Sequence, residues 1–233
     1  MLQGTCKQAD LKRLRKAVFR IGIQKDGVLT EMSVAHVEKS FNKKCPKYDR
    51  NNKILSLVIA TDKGNISVHY MRNLDLGVMV RKGFLDAAII GTDILEEYEL
   101  ENNNVVSKIF TSVDEAWPLY YMMPTDKEVE FKEARIIATP YPVITKHILE
   151  KKNIKNVEIV NIAGSSELMP LLTTKEGRSI DGVIDISVSG KSAEANGLIR
   201  SGRAFRKFHP VLITNCLSMS EENKKCFFKK LCK

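Results

Sequence analysis

The chain has 233 residues, 43% of them hydrophobic and 28% charged, with a net charge of +9 at pH 7. That balance excludes global disorder, and the length allows one large domain or two small ones. No apolar run approaches the roughly 18 residues of a membrane span, and the basic, polar stretch from Met1 to Phe19 lacks the apolar core of a secretory signal.

Leu11, Leu14 and Val18 recur at helical spacing among Lys12, Arg13, Arg15 and Lys16, which predicts a short basic helix over 1–18. Phe19 to Ile23 reads as a strand, Ile23 to Gly27 as a loop and Val34 to Phe41 as a helix. Ile54 to Ala60 and Ile66 to Met71 read as strands around a Lys63-Gly64-Asn65 turn. Leu76 to Lys82 suits a helix stopped by Gly83, and Ala87 to Ile90 a buried strand ending at Gly91-Thr92-Asp93. Beyond these, Pro118 to Met123, Ile136 to Thr139, Val157 to Ile162, Val183 to Val188 and Val211 to Asn215 read as strands. They alternate with predicted helices over Ile144 to Lys151, Glu167 to Leu172, Ser192 to Ile199 and the C-terminal segment. Such alternation predicts an α/β fold with largely parallel sheets.

The charge is segregated. Residues 1–50 hold twelve Lys/Arg against five Asp/Glu, and residues 200–233 hold nine against two. This pattern favours solvated basic tails, or a basic cleft for a small anion, over nucleic-acid binding. Phe227 and Leu231 fit the buried stripe of a terminal helix, and the single Trp117 fits core or interface packing. Five scattered cysteines (Cys6, Cys45, Cys216, Cys226, Cys232) form no CxxC pair, which points to free thiols in a reducing, cytoplasmic setting. His36, His69, His147 and His209 share no metal-ligand spacing, so no protein-held metal is expected.

The strongest local signal is Gly182-Val-Ile-Asp-Ile-Ser-Val-Ser-Gly-Lys-Ser192: a strand with Asp185 near its end, then a Ser189-Gly190-Lys191-Ser192 turn opening a helix. Backbone N–H groups, hydroxyls and a helix N-terminus in such a turn suit a phosphate. It is no Walker A loop, because Asp185 stands where that pattern requires glycine. An acid five residues before a Gly-x-Ser turn suits phosphoribosyl transfer. The turn would take the 5′-phosphate of phosphoribosyl pyrophosphate and Asp185 the ribose, while Mg²⁺ carried by the pyrophosphate neutralises the leaving group.

Several segments, in order, resemble the ATP phosphoribosyltransferase family. Asp181 to Leu198 is similar to its D-A-I-V-D-I-V-x-[TS]-G-x-T-L-x-A-N-G-L, and Gly164-Ser-Ser-Glu-Leu-Met-Pro170 to its G-S-V-E-L-A-P. Arg135 to Thr145 is similar to R-I-A-T-K-Y-P-x-I-T, and Arg72 to Asp75 with Gly83 and Asp86 to Asp93 follows R-x-x-D-I-P, G-x-x-D-L-G-I-T-G-x-D. The resemblance implies the family's short form: two α/β lobes of periplasmic-binding-protein type with a cleft between them. On that pattern 19–113 with 208–233 would make one lobe, and 114–207 the other, carrying the phosphoribosyl turn. It implies a homodimer of catalytic chains and a histidyl-tRNA-synthetase-like regulatory subunit. It also implies ATP and phosphoribosyl pyrophosphate as substrates, in the first step of histidine biosynthesis.

The resemblance makes Asp185, Lys25 and Arg72 catalytic. It assigns Ser189, Gly190, Lys191, Ser192 and Glu167, with Asp185, to phosphoribosyl pyrophosphate, and Lys25, Arg72, Gly91, Asp93 and Tyr141 to the nucleotide. The sequence also departs from the pattern. The family's P-K-G-R loop reads Gln24-Lys-Asp-Gly27, retaining Lys25 alone, and its glycine-rich crossing segment is replaced by Thr111 to Leu119 with Asp114 and Glu115. Thr173 to Ile180 makes the spacing between Glu167 and Asp181 about five residues longer than the family's, judged by motif register. These departures keep a non-catalytic paralogue in view. A type I phosphoribosyltransferase acting on a free base is a third reading, although its usual pair of adjacent acids is absent, since Ile186 follows Asp185.

Overall fold

In chain order the elements are α1 (Gln8–Arg15), β1 (Phe19–Gln24), α2 (Leu29–Phe41), β2 (Ser56–Thr61), β3 (Gly64–Met71), α3 (Asn73–Arg81), β4 (Ala87–Gly91), α4 (Thr92–Glu97) and β5 (Val105–Ile109). Then follow β6 (Trp117–Pro124), β7 (Ile136–Thr139), α5 (Pro142–Lys151), β8 (Glu158–Asn161), a 3₁₀ turn (Ser166–Leu171), β9 (Gly182–Ile186), α6 (Lys191–Ala195), β10 (Leu198–Phe208), β11 (Pro210–Asn215) and α7 (Glu222–Leu231). This computed structural model describes residues 8–27, 29–51, 53–100, 105–109, 116–215, 217 and 221–232. The chain divides into two units, Met1–Val113 with His209–Lys233, and Asp114–Phe208. Thr111 to Glu115, with the acidic pair of the crossing segment, lie outside the described residues.

The first unit is a six-stranded sheet in the order β2-β3-β1-β4-β11-β5. Its central strands are apolar on both faces, because helices cover both. In β4, Ala87 and Ile89 join the cluster of Phe19, Ile21, Val34, Val37, Phe41, Phe227 and Leu231, under α2 and α7. The intervening Ala88 and Ile90 join Leu76, Val80, Leu85 and Ile213 under α3. This is the two-residue period of a strand, used on both sides. Gly22 lets α3 approach β1, since a Cβ there would lie 2.5 Å from the side chains of Leu76 and Leu85. A buried charge group fixes the chain end: Asp86, wholly buried, accepts from Arg20 Nε at 3.0 Å and faces Lys224 Nζ of α7 at 3.1 Å. Asn215 Nδ2 donates to Val80 O, which also accepts from Gly83 N–H, and to Arg81 O, which pins the end of α3 to β11.

The second unit is a five-stranded sheet in the order β10-β6-β9-β7-β8, with α5 and the 3₁₀ turn packed on it. Trp117 is buried, as core packing requires.

Both sheets are mixed, which corrects the expectation of largely parallel ones. The trios β3-β1-β4 and β9-β7-β8 are parallel, while β2, β5, β6, β10 and β11 pair antiparallel. The helix expected over Ser192 to Ile199 lasts only from Lys191 to Ala195, because Gly197 takes a φ of +70° and turns the chain into β10. Glu167 to Leu172 is a 3₁₀ turn rather than an α-helix, with Pro170 inside it and Ser165 left-handed before it. The structure adds α4, β5 and the long β10, and α2, α3 and α5 begin two to five residues before their expected starts. Among the described residues no helix is long and apolar enough to cross a membrane. Cys45, Cys226 and Cys232 are in no disulfide among the described residues, while Cys6 and Cys216 lie outside them.

Candidate functional site

The strand β9 carries Asp185 to its C-terminal end, and the bend after it carries Ser187 to Gly190 into α6. Asp185 is half-buried and held from two sides. Ile186 N–H donates to Oδ1 at 2.6 Å, and Ser166 Oγ donates to Oδ2 at 2.5 Å. Burial pushes its carboxyl above the ordinary aspartate range, with the like charge of Glu167 adding to the rise. Glu167 accepts from Ser192 Oγ at 2.7 Å, and that bond foremost holds its carboxyl below the usual range. Ser166 also lies 3.4 Å from Glu167 Oε2, but its one proton goes to the closer Asp185. Two carboxylates are thus tied to each other and to the turn through Ser166 and Ser192.

The Ser189–Ser192 turn is sharp. Gly190 adopts a φ of +82°, where glycine is favoured, and Lys191 N–H points toward Ser189 Oγ at 3.4 Å. Ser189, Lys191 and Ser192 are exposed. Two corrections follow. The helix after the turn is only five residues long, too short for its N-terminus to act as the anion site the sequence suggested. A side chain at position 190 would meet Arg200, whose Nη2 lies 2.8 Å from a Cβ built there, so Gly190 is required by its φ and by that guanidinium. Tyr141, at the start of α5, donates its N–H to Thr139 Oγ1 at 3.0 Å, and its ring lies 6.2 Å from Phe208. Thr139 Oγ1 in turn donates to Ile184 O at 2.7 Å, tying the start of α5 to β9.

In the first unit the parallel strands β3, β1 and β4 end at one edge, where ligands of open α/β sheets bind. Gln24 stands opposite Met71, and Lys25 N–H donates to Met71 O at 2.9 Å, which sets Lys25 beside Arg72. Both line a pocket of about 370 Å³ with Ser56, His69, Tyr70 and Asp75. Lys25 Nζ sits 5.7 Å over the ring of Tyr48. Gly91 ends β4 at the same edge: Gly22 pairs with Ala88, and Lys25 and Gly91 lie three residues beyond each. Asp93 is buried in α4, 4% exposed, and does not line that pocket. The structure thus brings Lys25 and Arg72 together in one unit, and Asp185, Glu167 and the turn together in the other. The altered loop is tied down by an ion pair, Arg50 Nη2 to Asp26 Oδ1 at 3.2 Å. Gly27 has a φ of +116°, a conformation an arginine would adopt only under strain.

Sequence reasoning missed Ser166, Arg200, Tyr120 and Tyr48. Ser166 had a signal, since it stands where the similar family motif has valine. Arg200 had none, because nothing in the pattern of β10 shows that its side chain folds back to the turn.

Comparison with known proteins agrees with this architecture. The family model for ATP phosphoribosyltransferase (HisG) matches residues 72–232. An ATP phosphoribosyltransferase of Bacillus cytotoxicus is 33% identical over 143 residues, 61% of this chain and 63% of that protein, so the match spans less than two thirds of the relative. Among solved structures, a chain of the Thermotoga maritima ATP phosphoribosyl transferase (HisG:HisZ) complex superposes with a TM-score of 0.67 at 22% identity, covering 91% of this chain and 96% of that one. A Candida albicans CA3427 gene product with the generic periplasmic binding protein fold gives 0.59 at 8% identity, covering 91% and 69%. These two likenesses concern the fold alone. With the family model matching well over half its length, the chain belongs to the ATP phosphoribosyltransferase family.

Proposed function

We propose that the protein transfers the phosphoribosyl group of phosphoribosyl pyrophosphate to N1 of the ATP adenine, releasing pyrophosphate, as the first step of histidine biosynthesis. The observation that carries this reading is Asp185, a carboxylate fixed by Ile186 N–H and Ser166 at the end of β9, next to the Ser189–Ser192 turn. Positive charge develops on the ribose as pyrophosphate departs, and a preorganised carboxylate stabilises that charge without reorganisation. Asp185 would hold the ribose hydroxyls and oppose this charge. Ser189, Gly190, Lys191 and Ser192 would hold the 5′-phosphate, Ser192 turning its proton from Glu167 to a phosphate oxygen. Glu167 would keep Ser192 aimed until then. Lys25 and Arg72, on their shared strand edge with Gly91, would take the anionic groups of the nucleotide or the pyrophosphate. No covalent nucleophile is needed, so positioning and electrostatics carry the rate.

Among the described residues no group of three or more His, Cys, Asp or Glu side chains could hold a metal ion. Mg²⁺ would arrive on the pyrophosphate oxygens, where it would neutralise the leaving group. The Thermotoga maritima relative was solved as a HisG:HisZ complex. By analogy, this chain would act as a homodimer joined to a histidyl-tRNA-synthetase-like regulatory subunit in the cytoplasm.

The test mixes the protein with ATP, phosphoribosyl pyrophosphate and Mg²⁺, with and without a matched regulatory subunit, and follows phosphoribosyl-ATP by its absorbance. Product is expected. A protein that binds phosphoribosyl pyrophosphate but forms no product under either condition would be a non-catalytic member of the family.

A further inference from the structure

Arg200 leaves the edge strand β10 and folds back beneath the phosphate turn. Its Nε donates to Ser187 Oγ at 3.1 Å, and its guanidinium carbon lies 4.7 Å over the ring of Tyr120. Its Nη2 is the heavy atom closest to where a Cβ of Gly190 would stand, at 2.8 Å. That Nη2 is buried, and among the described residues it has no hydrogen-bond partner. A buried guanidinium nitrogen without an acceptor is costly, and native structures rarely keep one without a use. The charge around the turn sharpens the point. Glu167 bonds Ser192 of the turn, and Asp185 sits two residues before Ser187, so two carboxylates border the place where a phosphate dianion would bind. Lys191 is exposed, and a solvated lysine offsets little of that repulsion.

We propose that Arg200 is the fixed cation of the phosphate site, an inference that rests on the phosphoribosyl reading above. It holds the turn from below through Ser187 and the open Cα face of Gly190. Its positive charge, kept from water by Tyr120, balances the 5′-phosphate monoester of the sugar donor, and the unpartnered Nη2 gains an acceptor when the turn closes on that phosphate. Arg200 is thus a positioning residue for the phosphate end of the donor, with no part in the bond that breaks.

Calorimetry with phosphoribosyl pyrophosphate and with ribose 5-phosphate tests this on wild type, Arg200→Gln and Arg200→Lys, after circular dichroism and thermal melting show that each is folded. Arg200→Gln keeps a donor for Ser187 but loses the charge, and is expected to bind both ligands about 10–100-fold more weakly, the loss of one charge-assisted contact. Arg200→Lys keeps the charge but loses the planar stack on Tyr120, and is expected to bind both ligands more tightly than Arg200→Gln and more weakly than wild type. A merely structural arginine would instead be disturbed as much by lysine as by glutamine, and that result overturns the inference. Should Arg200→Gln not fold, Ser187→Ala removes the acceptor that aims the guanidinium. A loss of up to about tenfold for both ligands is expected, and unchanged affinity overturns the inference. Wild-type protein that binds neither ligand would overturn the phosphoribosyl reading itself. Wild type that binds both, with Arg200→Gln binding equally well, overturns only the role of Arg200.

Discussion

Replacing Asp185 with asparagine separates the charge at the site from its shape. The carboxylate accepts from Ile186 N–H at 2.6 Å and from Ser166 Oγ at 2.5 Å. An asparagine carbonyl can take the first bond. Its amide can donate to Ser166, whose hydroxyl then turns to Glu167 Oε2, 3.4 Å away. No polar group is orphaned, so the geometry survives and only the charge is lost. Burial raises the carboxyl of Asp185, and Glu167 adds to the rise. A group with its folded-state value above its unfolded one gives stability that is fully present below the unfolded value and lost as pH rises through the folded one. At neutral pH the ionised Asp185 therefore works against the fold. Asp185→Asn is expected to keep or raise Tm, by about 2–4 °C for each kcal/mol gained in a chain of this size. Turnover is expected to fall more than about tenfold, and toward the 10²–10³ typical of removing one preorganised group that stabilises developing charge. Steady-state rates with saturating ATP, beside a melting curve at pH 7.5, check both. Wild-type turnover, or a melt lowered by many degrees, would show that Asp185 serves the fold and not the reaction.

Glu167→Gln removes the like charge that helps raise Asp185, so the acid limb of the kcat/KM profile should move to lower pH; a limb that stays or moves up contradicts the coupling. Gly190→Val forces a β-branched residue into a φ of +82° and against Arg200 Nη2. It should cost about 1–3 kcal/mol and abolish phosphoribosyl pyrophosphate binding, so a folded variant with undiminished calorimetric affinity would remove the turn from the site. Lys224→Met leaves buried Asp86 with Arg20 alone and loosens α7, at about 1.5–3 kcal/mol in urea unfolding; no change would mean that the Lys224 contact is immaterial.

Much of the fold was legible because the parallel strands are buried on both faces. Phe19 to Ile23, Ala87 to Ile90 and Val183 to Val188 are mostly apolar runs, and each holds a strand, the last ending early at Ile186. The same logic hid β10. Residues 200–207 include Arg200, Ser201, Gly202, Arg203, Arg206 and Lys207, on an edge strand with a register shift between Ser201 and Arg206, so they show no apolar period to read. Misjudging that strand let the short α6 be extended into a helix and concealed where Arg200 goes. α4 was hidden differently: Gly91-Thr92-Asp93 is a plausible strand end, and only packing of Ile94 and Leu95 against Leu76 and Val80 makes the next residues helical.

The site divides along the same line. Asp185, Gly190 and Ser192 could be named because backbone geometry demands particular residue types within one short segment, and that demand leaves a local pattern. Ser166, Arg200 and Tyr48 come from segments distant in sequence, and the contacts that recruit them depend on strand order and side-chain reach. The lost loop arginine illustrates the difference in consequence. Sequence logic suggests restoring it with Gln24→Pro, Asp26→Gly and Gly27→Arg, but Gly27 sits at a φ of +116°. An arginine placed there meets backbone strain of about 1–3 kcal/mol, enough to cancel one charge-assisted phosphate contact of about the same size. A gain in activity is therefore expected from Asp26→Gly, which releases Arg50, and not from Gly27→Arg; steady-state rates showing the reverse would refute this.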